Sequence, residues 1–390
     1  MKEKIAIQLD HIWSKLLETD RREPGIYTGF EGILLYQVLY SQYSRRDNWA
    51  YLDESFSHIV ESGFSNTTPT FCYGRAGTSW FLSYMAAKEL IDQEDLSSFF
   101  FDDPALKQYS VHELGRGKYD FLFGGLGIAY QYLFRYQKDM QPFFAAVFEQ
   151  LGLLILRSGN KMFQSFNFET DTINPMQVDL GLAHGISSVL KFCIECYKAG
   201  VCPEDALQTG SAIISFLMSS VKPDTSHSFF PNEIGAGDDQ FNSRIGWCYG
   251  DLSIAFILYQ AGITFRKENI TRFALGVLQK TTQRQSPKET MIYDAGICHG
   301  SAGAAHIYNK MWHSTGDTLF KQAADYWIEQ TLDFARYHEG TISYEKYNPD
   351  KSKPAREEHG LLEGAAGIGL VLLTYLTGDF SWDYCLMLND

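Results

Sequence analysis

A short glycine-led segment recurs seven times along this chain, each time running into a stretch apolar enough to be buried on most faces. The copies are GFEGILLYQVLY from Gly29, GRAGTSWFLSYM from Gly74, GGLGIAYQYLF from Gly124, HGISSVLKFCI from His184, YGDLSIAFILY from Tyr249, HGSAGAAHIYNKM from His299 and EGAAGIGLVLLTYL from Glu363. They follow one another at intervals of about 45 to 65 residues, a period that suits a pair of helices with their connections. Between them lie segments such as KIAIQLDHIWSKLL, QPFFAAVFEQLGLLIL and LFKQAADYWIEQTLDFARY, whose apolar residues fall at three- and four-residue steps. That spacing marks an amphipathic helix with one buried face. The alternation predicts two layers, with half-solvated outer helices over fully buried inner ones. Stacked helix pairs either stay open or close on themselves, and seven beats without a polar capping repeat favour closure. The expected fold is therefore all-α: an (α/α)7 toroid of seven inner and seven outer helices, in a single domain spanning 1–390. The stretches near 100–118, 159–180 and 222–246 are the expected insertions or rim loops. The glycines let the chain turn sharply into each inner helix and let helix ends approach closely. After His184-Gly185 the chain reads Ile-Ser-Ser where other beats often place a second glycine, so a slightly altered start is expected for that helix.

Composition narrows the function. With 45% hydrophobic and 21% charged residues the chain can build a core, which excludes wholesale disorder. A net charge of -14 argues against nucleic acid, whose phosphates need a basic surface, while leaving a cationic peptide partner compatible. No apolar run reaches the roughly 18–20 residues that span a bilayer, and the N-terminal MKEKIAIQLDHIW carries charges where a secretory signal needs its apolar core. The expected location is the cytoplasm. Seven cysteines, an odd number, do not read as a disulfide framework. Cys193 and Cys196 form a CxxC inside the helical run VLKFCIECYKAG, where buried thiols are the plainer account.

Three beats carry unusual residues at the same point, just before the inner helix: GLAHG (181–185), RIGWCYG (244–250) and GICHG (296–300). If equivalent positions of the repeat lie on one rim, His184, Cys248, Cys298 and His299 converge although they are distant in sequence. Adjacent Cys298 and His299 would diverge within a regular helix, but on a glycine-flanked turn both can reach one ion. Two thiolates and an imidazole suit zinc, and three protein ligands leave the fourth tetrahedral position open for water or substrate. By spacing alone, metal-free buried cysteines with an incidental histidine are the rival account; the repeat argument favours zinc. His306, seven residues past His299, reads as a core or interface histidine, and Glu363 as a helix-start carboxylate.

With WCYG at 247–250, CHG at 298–300 and GLAHG at 181–185, the chain resembles the lanthionine synthetase C family, whose glycine-led pattern it matches over essentially its full length. The resemblance implies a stand-alone peptide cyclase with one zinc ion held by Cys248, Cys298 and His299. A substrate cysteine thiolate would add to a dehydroalanine or dehydrobutyrine of the same peptide, giving a lanthionine or methyllanthionine thioether. His184 would be the acid or base, and Asp120 its carboxylate partner. Arg244 and Tyr249, flanking Cys248, would orient the site or stabilise the enolate. A helix cap, a surface charge and a packed aromatic are the plain alternatives for Asp120, Arg244 and Tyr249. The implied partners are a dehydrated precursor peptide and a separate dehydratase, with a membrane transporter complex, peripheral to the inner membrane, by analogy alone. Two rivals stand beside the cyclase: the same zinc site adding glutathione or another small thiol, as the family's eukaryotic branch suggests, and a zinc-stabilised scaffold that binds peptides without chemistry. Prenyltransferases and six-hairpin glycosidases fit less well, since the first need an aspartate-bearing zinc set and the second a carboxylate pair.

Overall fold

The structure is a computed structural model that describes residues 1–390 except 20–22, 66–67, 93–102, 160–161, 223–227, 236–242, 339–340 and 351–355. Fourteen long helices among the described residues alternate in kind. The glycine-led set is α2 (Phe30–Ser44), α4 (Arg75–Ala87), α6 (Gly125–Phe134), α8 (Ile186–Lys198), α10 (Asp251–Thr264), α12 (Ser301–Thr315) and α14 (Ala365–Thr377). The amphipathic set is α1 (Lys2–Leu16), α3 (Trp49–Ser65), α5 (Pro104–Gly115), α7 (Gln141–Arg157), α9 (Pro203–Ser219), α11 (Glu268–Thr281) and α13 (Thr318–Asp333). Burial follows the expected division. Every residue of α12 from Ser301 to Met311 is buried, whereas α7 buries Phe144, Val147, Phe148, Leu151 and Leu154, one stripe at helical spacing.

Most glycine-led helices start in the same way. In five beats the first helical N–H reaches back seven residues to a carbonyl: Phe30 to Glu23, Arg75 to Thr68, Gly125 to Lys118, Ser301 to Asp294 and Ala365 to Glu358, at 2.8 to 3.0 Å. This folds the preceding turn directly under the capping glycine. A methyl group on Gly124 would lie 2.3 Å from the Lys118 carbonyl oxygen, so it is close approach that demands glycine there. Gly250 differs, because its φ of 94° lies in the left-handed region and a Cβ would lie 2.0 Å from the Arg244 oxygen. Replacing Gly250 with alanine combines a strained backbone with a clash. The expected loss is about 3 kcal/mol or more, read as a lower denaturation midpoint. An unchanged midpoint would show that the turn relaxes freely.

The beats are also stitched to one another. Leu182 N–H donates to the Cys248 carbonyl (2.9 Å), Ile297 and Cys298 N–H to that of Leu362 (2.9 and 3.0 Å), Leu362 N–H to Tyr27 (3.1 Å) and Tyr27 N–H to Cys72 (3.3 Å). In these pairs of beats, neighbouring turns are therefore joined through their backbones.

The chain divides into two compact units. One comprises Met1–Thr68, Cys72–Tyr84 and Gln285–Asn389; the other comprises Pro69–Phe71, Met85–Arg284 and Asp390. In the first, α14 packs against α2, α1 and α12, and α12 against α13. In the second, α8 packs against α6, α9 and α10, and α10 against α11. Four antiparallel pairs of very short strands decorate the connections: β1 (Phe166–Asn167) with β2 (Thr172–Ile173), β3 (Val178–Asp179) with β4 (Glu233–Ile234), β5 (Arg336–His338) with β6 (Thr341–Ser343), and β7 (Glu345–Lys346) with β8 (Arg356–Glu357).

Three expectations need correction. The stretch near 100–118, expected as an insertion, contains α5, an amphipathic-set helix of the repeat. Its buried face holds Ser110 and Glu113 beside Leu106 and Leu114, so the apolar periodicity is silent there. Helix α8 starts like its neighbours: its capping Gly185 has φ -112° and ψ -169°, beside -103° and -169° at Gly124. Ser188 stands in place of the second glycine, and its hydroxyl donates to the Gly185 carbonyl at 2.7 Å. Finally, the 20-residue stretch Lys138–Arg157 contains an 18-residue window with a mean hydropathy of 1.2, apolar enough by length and composition to cross a membrane. Scattered polar residues such as Gln141 and Glu149 hide this in the sequence.

Candidate metal centre and adjoining cavity

The motif residues gain meaning once the beats are superposed on their capping glycines. Asp179-Leu-Gly-Leu-Ala-His184-Gly185 and Asp294-Ala-Gly-Ile-Cys298-His299-Gly300 are the same pattern, and Arg244-Ile-Gly-Trp-Cys248-Tyr249-Gly250 is its variant. Cys248 and Cys298 thus occupy one position of the repeat, and His184, Tyr249 and His299 the next. Glu363 holds that latter position in the last beat, where it pairs with Lys346.

Cys298 and His299 adjoin on one glycine turn of the first unit, and Cys248 takes the equivalent turn of the second. The donor chemistry, two thiols and one imidazole, fits zinc. Cys248 is buried, whereas Cys298 is only partly so and the His299 side chain is 27% exposed. His299 Nε2 also lies 3.9 Å from Asp294 Oδ2, close enough for charge attraction but beyond a direct hydrogen bond.

In the second unit, a cavity of about 340 Å³ is lined by Asp120, His184 and Tyr249, together with Asp179, Phe166 and Phe168. His184 Nδ1 lies 2.5 Å from Asp120 Oδ2, and Asp120 Oδ1 accepts the Phe123 N–H at 2.8 Å. Asp120 therefore both caps its turn and holds the histidine. The imidazole stacks on Phe123 at 5.8 Å between centroids and lies 6.2 Å from the Tyr249 ring. Burial disfavours the imidazolium, but the charge and hydrogen bond of Asp120 outweigh it, with help from Asp179, and raise the His184 pKa to about 9. The Tyr249 hydroxyl donates to Asp179 Oδ2 at 3.0 Å. Burial, followed by the Asp179 charge, pushes the Tyr249 phenol well above its ordinary value.

Of the residues expected at the site, the structure brings Asp120, His184 and Tyr249 around the cavity, while Cys298 and His299 lie in the first unit and Cys248 in the second. Arg244 is not among the residues lining that cavity; its carbonyl packs under Gly250. Asp179 and Asp294 are the residues that sequence reasoning missed, although both stand six residues before a capping glycine. His306 is buried against Asp383 at 2.9 Å, and Cys193 and Cys196 are buried and free, as expected.

The profile of the lanthionine synthetase C-like protein family matches residues 20–387. The chain belongs to this family. This lanthionine synthetase C-like chain is 24% identical over 354 residues to the zebrafish (Danio rerio) protein named glutathione S-transferase LANCL1, covering 86% of this chain and 81% of that protein. Its structure is similar to that of nisin cyclase, with a TM-score of 0.73 and 18% identity, covering 99% of this chain and 97% of the other. The similarity shows the fold: the lanthionine synthetase C-like chain has the all-helical α/α toroid architecture expected from its repeat.

Proposed function

We propose that this protein is a zinc-dependent peptide cyclase that joins cysteine thiols to dehydroalanine or dehydrobutyrine within one precursor peptide. The family and the fold support a cyclase-type role. What supports the finer reading is the donor set of Cys248, Cys298 and His299, each just before a capping glycine: as three ligands they would leave a tetrahedral ion one position for a substrate thiol.

Bound there, zinc would supply positive charge that lowers the pKa of a substrate thiol, making the thiolate available near neutral pH. The thiolate sulfur forms a bond to the β-carbon of the dehydro residue as its carbon–carbon π bond breaks, and the resulting enolate takes a proton at Cα. The thiol proton leaves and a proton returns, so the product is an isomer of the substrate. His184 suits the return of that proton: its Nδ1 is committed to Asp120, which leaves Nε2–H available to a substrate in the cavity. Phe123 holds the imidazole plane.

With its pKa raised to about 9, His184 keeps its proton through neutral pH and loses it as the pH climbs through that value. Turnover is expected to fall on that alkaline limb. Asp120→Asn removes the charge that holds the proton, so the limb should move down towards the ordinary imidazole value of about 6.5. A kcat/KM profile whose limb stays in place in that variant assigns the titration to another group.

A second reading has one observation in its favour, the similarity to a protein named as a glutathione S-transferase: the same site would add a small thiol to a dehydro residue. Incubation of the zinc-loaded protein with a dehydrated, cysteine-containing peptide, with and without glutathione, separates the two by mass. Cyclisation removes alkylatable thiols at constant mass, whereas addition raises the mass by that of the thiol. Failure of both leaves the peptide-binding scaffold. We further propose that a separate dehydratase supplies the substrate, and that the protein works in the cytoplasm with a membrane transporter complex nearby.

A further inference from the structure

We propose that Asp179 is a positioning residue for this reaction: its carboxylate takes the Tyr249 hydroxyl hydrogen and so turns the phenol's oxygen lone pairs, rather than its proton, towards the substrate. The inference rests on the cyclase reading for its reaction, but its geometry is independent of it. Asp179 is buried on β3, in register with Glu233 of β4, and lines the cavity shared with His184 and Tyr249. Its Oδ1 accepts the Gly181 N–H at 2.7 Å and its Oδ2 accepts the Tyr249 hydroxyl at 3.0 Å.

The bland account is that Asp179 only closes the glycine turn, and the repeat itself tests that account. Asp294, at the same position of its beat, closes its own turn with Oδ1 on the Gly296 N–H at 3.2 Å, while its Oδ2 takes the Tyr347 N–H at 3.0 Å. Turn closure thus occupies one oxygen, and the second is free to serve its surroundings. In the Asp179 beat that second oxygen reaches the cavity. A methyl group on Gly185 would lie 2.3 Å from Asp179 Oδ1, so glycine at 185 also keeps the carboxylate's place open. A phenol whose proton is committed to Asp179 is a poor donor to the enolate but a ready acceptor for a peptide N–H of the substrate. Proton return then falls to His184, and Tyr249 holds the substrate backbone in register.

Asp179→Asn separates the two roles. Its amide oxygen still closes the turn on the Gly181 N–H, as asparagine does in such turns, while its amide group meets Tyr249 with a donor where an acceptor is needed. The variant should fold and bind zinc like the wild type. Its kcat on a dehydrated peptide should fall by about 10- to 100-fold. Tyr249→Phe should fall similarly, and the double variant should be no slower than either single one. Multiplying losses in the double variant, or an Asp179→Asn kcat within about twofold of wild type, would overturn the inference while leaving the cyclase reading intact. If the wild type turns over no peptide, the cyclase reading fails instead. The same four proteins compared by urea denaturation then decide the contact alone: Asp179→Asn should lower the midpoint in the wild-type background and leave it unchanged in Tyr249→Phe. Equal shifts in both backgrounds would show that Asp179 does not act on Tyr249.

Discussion

Cys298→Ala is expected to yield a folded, helical protein that has lost its zinc and, with it, thioether formation. The repeat explains why the fold should survive: the beat containing His184 carries Ala183 at the position of Cys298, so the turn already accepts alanine there. The lost thiolate removes one of three ligands. Zinc affinity should fall by more than the 10- to 100-fold usual for loss of a partner outside the coordination shell. Without bound zinc, a substrate thiol returns to its ordinary pKa of about 8.5, and the mostly protonated thiol is a poor nucleophile at neutral pH. Elemental analysis should find about one zinc per chain in the wild type and a small fraction of that in Cys298→Ala, with matching circular dichroism. Full zinc retention would remove Cys298 from the ligand set. Loss of helicity together with zinc would favour the scaffold reading, in which the ion stabilises the protein and activates nothing.

His184→Asn should lower kcat by roughly 10²- to 10⁴-fold while zinc content stays at the wild-type level, because the side chain belongs to the cavity and not to the ligand group. The smaller amide cannot exchange a proton near neutrality, and it leaves Asp120 without its imidazole partner. The alkaline limb assigned to His184 should disappear with it. Retention of wild-type turnover in this variant would mean that water or another side chain returns the proton to Cα.

Much of the architecture was written in local chemistry. The capping glycines recur because a Cβ would strike the carbonyl folded beneath it, so selection against clash leaves a mark visible without coordinates, as at Gly124. Six amphipathic helices announced themselves through apolar stripes, such as that of α7. Helix α5 stayed silent because Ser110 and Glu113 stand on its buried face, satisfied by the Gly125 carbonyl and by Lys118 and Arg116. Hydrophobic periodicity detects transfer from water and is blind to a face that is buried through paired polar groups. The Asp103-Pro104 pair, whose carboxylate accepts the Ala105 and Leu106 N–H groups, was the signal that could have found it.

The candidate site divides in the same way. The identity of the metal-capable residues was legible because cysteine and histidine just before a capping glycine are rare and fall at two adjacent repeat positions. The roles of Asp179 and Asp294 were not, since a carboxylate before a glycine turn reads as turn chemistry whatever its second oxygen does. Sequence alone determined the repeat, the helical class and which residues could bind a metal, because these depend on side-chain type and on contacts within a few residues. The resemblance had already paired Asp120 with His184, and the structure shows that contact; only the tertiary structure decided that Tyr249 spends its proton on Asp179 and that these residues share one cavity. Those pairings join positions about 60 to 70 residues apart, and directional hydrogen bonds over such separations form only after backbone stitching has brought the beats together.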